Sequence, residues 1–164
     1  MSVTLCPKEK ENIENVALDF LKTHFVDSLP IDPLELAKKE GLKIVYKDLD
    51  EENFDGMLQE INGDRILTIN NKIANSARAR FIAAHEIGHA KLKHQTINYY
   101  SNQRSKNEIE ANLFARALLM PRPYFEKAQA SYNENSVFDS LAEYISMIFG
   151  VTEKRAKERL EDFD

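Results

Sequence analysis

The stretch "AAHEIGHAKLKH", residues 83–94, gathers three of the chain's four histidines and sets a glutamate directly after the first of them. From Asn75 to about Lys93 there is no proline and a single glycine, and Ala77, Phe81, Ala84, Ile87 and Leu92 recur at helical spacing. The spacing predicts a helix. Four residues turn a helix about 400° and advance it roughly 6 Å, so His85 and His89 project from one face, one turn apart. Two imidazoles so placed can bind one zinc ion at about 2.0–2.1 Å. Glu86, beside the first, can take a proton from water without itself being a ligand. His85-Glu86-Ile87-Gly88-His89 is therefore an H-E-x-x-H match in the context the motif requires. The competing reading is a surface helix on which both histidines are ordinary polar positions. Gly88 costs about 1 kcal/mol in a helix relative to Ala, which implies that something there needs room. His94 falls roughly 140° from His89 on an ideal helix and is read as capping the helix end.

A catalytic zinc normally has three protein ligands and an open position for water. The third is sought in "NEIEANLFARALLMP", where Glu108 and Asn112 share a helical face and Glu110 points roughly 160° away from Glu108. Glu108 is the favoured ligand, with Asn112 available to hydrogen-bond a ligating histidine. A shift of one residue in helical phase would re-aim Glu110, which stays in reserve. The bland alternative for Glu108 is a capping box with Ser105, at the start of a helix that Pro121 ends. A donor for a developing oxyanion is also expected; His94, Tyr99, Tyr100, Tyr132 and Tyr144 are candidates.

Outward from this pair of segments, residues 8–25 carry Ile13, Val16, Ala17, Phe20 and Leu21 at helical spacing. "IDPLELAKKEG" has Asp32 as N-cap, Pro33 at the first helical position and Gly41 as the stop. "LKIVYK" alternates as a strand, and "FDGMLQEINGDRILTIN" reads as two strands joined through Asn62-Gly63-Asp64. "QTINYYSNQR" is a loop by its polarity; "PYFEKAQAS", "SVFDSLAEYISMIFG" and a last segment from Thr152 are helical. Helix, helix, three strands and then helices only argue an α+β fold with a small three-stranded, mainly antiparallel sheet, an active-site helix and a C-terminal helical appendage. Residues 1–131 are expected to form the first domain, and 132–164 a helical subdomain packed on it.

A net charge of −5 leaves no basic surplus to neutralise phosphates, so no direct nucleic-acid role is expected. "LAEYISMIFGVTEKRAKERL" could be taken for a DNA-binding helix-turn-helix. Its last helix, however, interleaves Lys154, Arg155, Lys157 and Arg159 with Glu153, Glu158, Glu161 and Asp162, a balance that suits a solvated or protein-facing surface. No run of 18 apolar residues suggests a membrane span, and charge interrupts the N-terminus after seven residues, so a cytoplasmic protein is expected. Cys6 cannot form an internal disulfide and lies far from the histidines in sequence. Arg78 and Arg80 are read as packing or ion-pair residues.

"RARFIAAHEIGHAKLKH" followed by "EIEANLFARALLMP" resembles the ImmA/IrrE family of zinc metallopeptidases, at Arg80, Phe81, His85, Glu86, Gly88, His89, Glu108, Ala111, Asn112, Phe114, Ala115 and Leu118 to Pro121. The likeness extends to the "DGMLQEINGDRILTINN" hairpin and to "LAEYISMIFGVTEKRAKERLED". The resemblance implies a zincin-like core, zinc held by His85, His89 and Glu108, and Glu86 as the catalytic base. It also implies a regulatory endopeptidase whose substrate is a helix-turn-helix repressor. Two rivals stand beside that expectation: a zinc hydrolase of small peptides, and a zinc-containing partner or antitoxin-type protein that sequesters its target without cutting it.

Overall fold

The computed structural model describes residues 4–49, 55–94, 105–133 and 137–163. Helix α1 (Pro7–Thr23) begins where Cys6 donates its backbone N–H to Glu9 Oε2 at 2.7 Å, and its inward face is Ile13, Ala17, Phe20 and Leu21. In α2 (Pro33–Lys39) the Asp32 carboxylate accepts the N–H groups of Leu34 and Glu35 at 3.0 and 3.1 Å, satisfying donors that the first turn leaves orphaned.

Three strands follow: β1 (Leu42–Lys47), β2 (Gly56–Ile61) and β3 (Asp64–Asn70). Asn62 and Gly63 both take positive φ, 53° and 84°, as a tight hairpin whose twist matches its strands requires. The α+β order and the three strands match expectation; the pairing within the sheet is mixed. The order is β1-β3-β2, with β2 antiparallel and β1 parallel to β3. Two successive reversals of direction return β3 to the sense of β1, so seating β3 in the centre makes one ladder parallel. At the sheet edge a Cβ on Gly56 would lie 2.6 Å from the Thr68 carbonyl oxygen, which is why the residue paired with Ile69 has no side chain.

The helices that carry the histidines and Glu108 come next. Ser76 caps α3 (Ala77–Lys91) and Ser105 caps α4 (Lys106–Leu119), each through its hydroxyl. Leu67 and Ile69 of β3, Ala83, Ala84 and Ile87 of α3, and Leu113, Phe114 and Ala117 of α4 belong to one buried cluster with the apolar face of α1. The expected loop at residues 95–104 lies outside the described residues.

Helix α5 (Arg122–Ser131) leads to α6 (Leu141–Phe149) and α7 (Glu153–Glu161). Residue 136 was the expected start of α6; instead Ser140 caps it, accepting the Glu143 N–H at 3.1 Å while Glu143 accepts that of Asp139 at 2.6 Å. Local capping thus overrides the longer apolar periodicity. Gly150 then turns left-handed at φ 61°. A Cβ there would sit 2.2 Å from Arg80 Nη1, because the Arg80 guanidinium donates to the carbonyls of Ile31 (2.5 Å) and Phe149 (3.3 Å).

Of the charges of α7, Glu153, Lys154, Lys157 and Glu161 are exposed as the sequence led one to expect, whereas Arg159 departs from that surface. Arg159 is fully buried: it donates to the Met120 carbonyl at 3.2 Å, grips the Glu14 carboxylate with both terminal nitrogens, and lies 4.5 Å from the Phe163 ring. Arg116 of α4 holds Asp162 through two parallel bonds of 2.7 and 2.6 Å. Forked, charge-assisted contacts of this kind fix geometry as well as contributing energy. They lock α7 onto α1 and α4. No described helix is long and apolar enough to cross a membrane.

Replacing Arg159 alone by Met should strand the Glu14 charge and cost about 3–5 kcal/mol in urea unfolding, whereas the Arg159→Met, Glu14→Leu pair should recover most of that loss.

Candidate metal centre

Because His85 and His89 are one turn apart, their Nε2 atoms converge to 2.9 Å. Glu108, from the first turn of α4, meets both: Oε2 lies 3.2 Å from His85 Nε2 and Oε1 lies 3.2 Å from His89 Nε2. All three side chains are only partly exposed. One donor atom from each falls within 4.8 Å of the other two, the compactness a single metal ion needs. Among the described residues this is the one group of histidine, cysteine and carboxylate side chains with that property.

Gly88 lets α3 and α4 approach this closely. A Cβ there would lie 3.0 Å from Phe114 Cδ1 and 3.2 Å from the Ala111 carbonyl oxygen. Phe114 and Ala111 are fully buried, so neither has space to retreat. The room that Gly88 implied is occupied by the backbone and an aromatic ring of the helix carrying Glu108.

The far nitrogens of both imidazoles are also engaged. His85 Nδ1 lies 3.1 Å from Asn112 Oδ1, one turn beyond Glu108 on α4. His89 Nδ1 lies 2.9 Å from His94 Nδ1, and His94 Nε2 in turn lies 2.9 Å from Glu110 Oε2. The ideal-helix placement of His94 fails because α3 ends at Lys91 and Lys93 is left-handed at φ 57°. The chain doubles back so that the His94 N–H reaches the His89 carbonyl at 3.0 Å, closing the helix end as expected, while its ring folds onto His89. Glu110, held in reserve as a ligand, is directed to His94. A non-glycine residue at positive φ gave no sequence signal for this pairing.

Glu86 adjoins the cluster, and its electrostatics are those of a confined carboxyl. Burial raises its pKa above the ordinary glutamate value, the Glu108 charge adds to the rise, and His85, His89 and Arg65 oppose it. A cation among the neighbouring donors would favour the ionised, proton-accepting form.

The remaining sequence candidates lie elsewhere or are committed. Tyr99 and Tyr100 lie outside the described residues. Tyr132 and Tyr144 pack on each other at 5.6 Å, with Phe138 5.3 Å from Tyr144, as an aromatic cluster on the C-terminal side. Both His94 ring nitrogens are engaged by His89 and Glu110. Arg78 pairs with Asp55 at 2.5 Å, and Cys6 is an exposed helix N-cap.

Comparison with known proteins places this geometry in context. A peptidase family model described as the IrrE N-terminal-like domain matches residues 37–161, a span that contains both α3 and α4. A protein of Bacillus phage phi105 described as "uncharacterized immunity region protein 2" is 30% identical over 95 residues, covering 55% of this chain and 59% of that protein. A solved structure of a Mycobacterium tuberculosis transcriptional regulator superposes with a TM-score of 0.60 over 95% of this chain and 47% of that one, at 14% identity, a likeness of fold alone. The chain thus spans between about half and three fifths of the length of these relatives.

Although alanine is the better helix former by about 1 kcal/mol, Gly88→Ala should lower the melting temperature, because overpacking a fixed helix contact costs about 1–3 kcal/mol. It should also weaken metal binding by pushing the histidines off Glu108. A variant more stable than wild type would refute the close-contact role.

Proposed function

The chain belongs to the IrrE N-terminal-like domain family of peptidases, and from that membership we propose that it is a zinc-dependent endopeptidase acting on a transcriptional repressor. The observation that carries this reading is the convergence of His85, His89 and Glu108. Two imidazole nitrogens and a carboxylate suit zinc, and the set leaves a coordination position for water. The donor set fits in a second respect: both Nδ1 atoms have partners, so Nε2 is the nitrogen each histidine presents inward.

In this reading His85, His89 and Glu108 hold the ion and Glu86 is the catalytic base. Zinc bound there would lower the pKa of a water toward neutrality and polarise a peptide carbonyl. Glu86 takes the proton of the attacking water and returns it to the leaving amine, which is why the residue beside a ligand, and not a ligand, has this role. Asn112 keeps the His85 ring oriented throughout.

The substrate assignment rests on the relatives. One carries the description of an immunity-region protein and another that of a transcriptional regulator, and a helix-turn-helix repressor controlling its own locus is the target that unites those contexts. Residues 132–164 are treated as the helical subdomain that packs beside the cleft and receives the repressor, with the reaction in the cytoplasm, where such a repressor works. An acidic chain recognising a DNA-binding protein is also electrostatically matched to it.

Co-expression with candidate helix-turn-helix repressors, a small one in an adjacent reading frame first if there is one, followed by mass spectrometry, tests the proposal. Wild type should cut the repressor at one bond. Glu86→Gln should retain zinc and lose cleavage by roughly 10²–10⁴-fold, the usual contribution of a general base. Regulation that survives Glu86→Gln would identify a sequestering partner, and turnover of unrelated short peptides would identify a general peptide hydrolase.

A further inference from the structure

Beyond the three donors and Glu86, a line of side chains runs away from the centre with no place in the proposed chemistry. It comprises His94, Glu110 and Lys106, with Glu9 at its end. The His94 side chain is only 6% exposed within this line. With His94 a neutral imidazole, proton accounting along it has one solution. Lys106 Nζ stands 3.8 Å from Glu110 Oε1, on the side of the carboxylate away from His94 Nε2, which Oε2 meets. An ionised carboxylate only accepts hydrogen bonds, so the 2.9 Å contact to His94 Nε2 requires the proton on that nitrogen. An imidazole with its one proton on Nε2 offers only a lone pair at Nδ1. The 2.9 Å contact between His94 Nδ1 and His89 Nδ1 then draws its proton from His89. With its proton on Nδ1, His89 is left with a bare lone pair on Nε2, the atom that faces His85 and Glu108.

We propose that His94 and Glu110 are positioning residues that fix His89 as its Nδ1–H tautomer and so hold its Nε2 lone pair on the metal position. This rests on the metallopeptidase reading of the centre. His85 obtains the same result from one residue, because Asn112 Oδ1 accepts its Nδ1 proton on the side facing α4. His89 lies nearer the helix end, and its partner arrives by the left-handed turn at Lys93. Both ligating rings are thereby oriented from α4 or through it. The helix that supplies Glu108 also supplies Asn112 and Glu110, the supports for the two histidines on its neighbour. Supports of this kind are worth 10–100-fold in metal affinity in zinc sites generally.

The test reads tautomers directly. Nitrogen-15 NMR of chelator-treated, histidine-labelled protein should show His89 and His85 protonated on Nδ1 and His94 on Nε2. Glu110→Gln substitutes an amide that can donate as well as accept, which removes the one-way constraint. That variant should show His89 in mixed tautomers and bind zinc 10–100-fold more weakly in competition with a chromophoric chelator, with an unchanged unfolding midpoint. Glu110→Asp, which keeps the carboxylate, should recover part of the affinity. Wild-type His89 protonated on Nε2, or Glu110→Gln with wild-type zinc affinity, would overturn the proposal. The wild-type tautomers decide it even if Glu110→Gln fails to fold. Failure of the wild type to bind zinc would instead remove the metallopeptidase reading, and the tautomer pattern would stand or fall separately.

Discussion

The close contact of α3 and α4 at Gly88 is the constraint on which the rest of the structure depends. Two histidines one turn apart on a helix can offer two donors anywhere that helix is found; a third donor from a different segment has to be brought to them. A missing Cβ at position 88 lets the Phe114 ring and the Ala111 carbonyl press against the helix that carries both imidazoles. Glu108, one turn before Asn112 on α4, is thereby delivered to 3.2 Å from each Nε2. The glycine's poor helix propensity is the cost of that approach, and the packed interface around it offsets that cost.

What holds α4 in turn lies at the other end of the chain. Arg159 and Asp162 on and just beyond α7 reach Glu14 of α1 and Arg116 of α4, so the C-terminal helix braces the two helices that back the centre. Arg80 does the same for the start of α3, tying it to the carbonyls of Ile31 and Phe149. Guanidinium contacts, of which that of Arg159 is fully buried, thus tie together the helices around the three described strands. Such pairs stabilise little on balance but make the wrong arrangement costly, because a displaced helix leaves a buried charge unpaired.

How much of this was legible in the residues follows from the range of each interaction. The zinc-type spacing at His85 and His89, the Asp32-Pro33 helix start and the Asn62-Gly63 turn are set by neighbours within four positions, and each appears where the sequence reading put it. Glu108 and Asn112 were also readable, since helical phase places them together and the family resemblance chooses between Glu108 and Glu110. The central position of β3, the burial of Arg159 and the return of His94 onto His89 were not. The first depends on which of two sheet edges β1 meets. The second depends on Glu14, 145 positions away. The third turns on Lys93 adopting a backbone conformation usually left to glycine. In each case the deciding partner is distant in sequence or the local residue type argues the other way.

In the proposed reading the site is an α4 device acting on an α3 motif: one helix carries the recognisable signature, and the other would complete and orient it. In the proposed centre one zinc ion sits between His85, His89 and Glu108 with a position left for water. Zinc K-edge X-ray absorption on wild-type protein loaded with one equivalent tests it most directly. The expected result is a four-coordinate shell of nitrogen and oxygen at about 2.0–2.2 Å with the outer scattering of two imidazoles. A spectrum with sulfur at about 2.3 Å, or one without imidazole scattering, would contradict it.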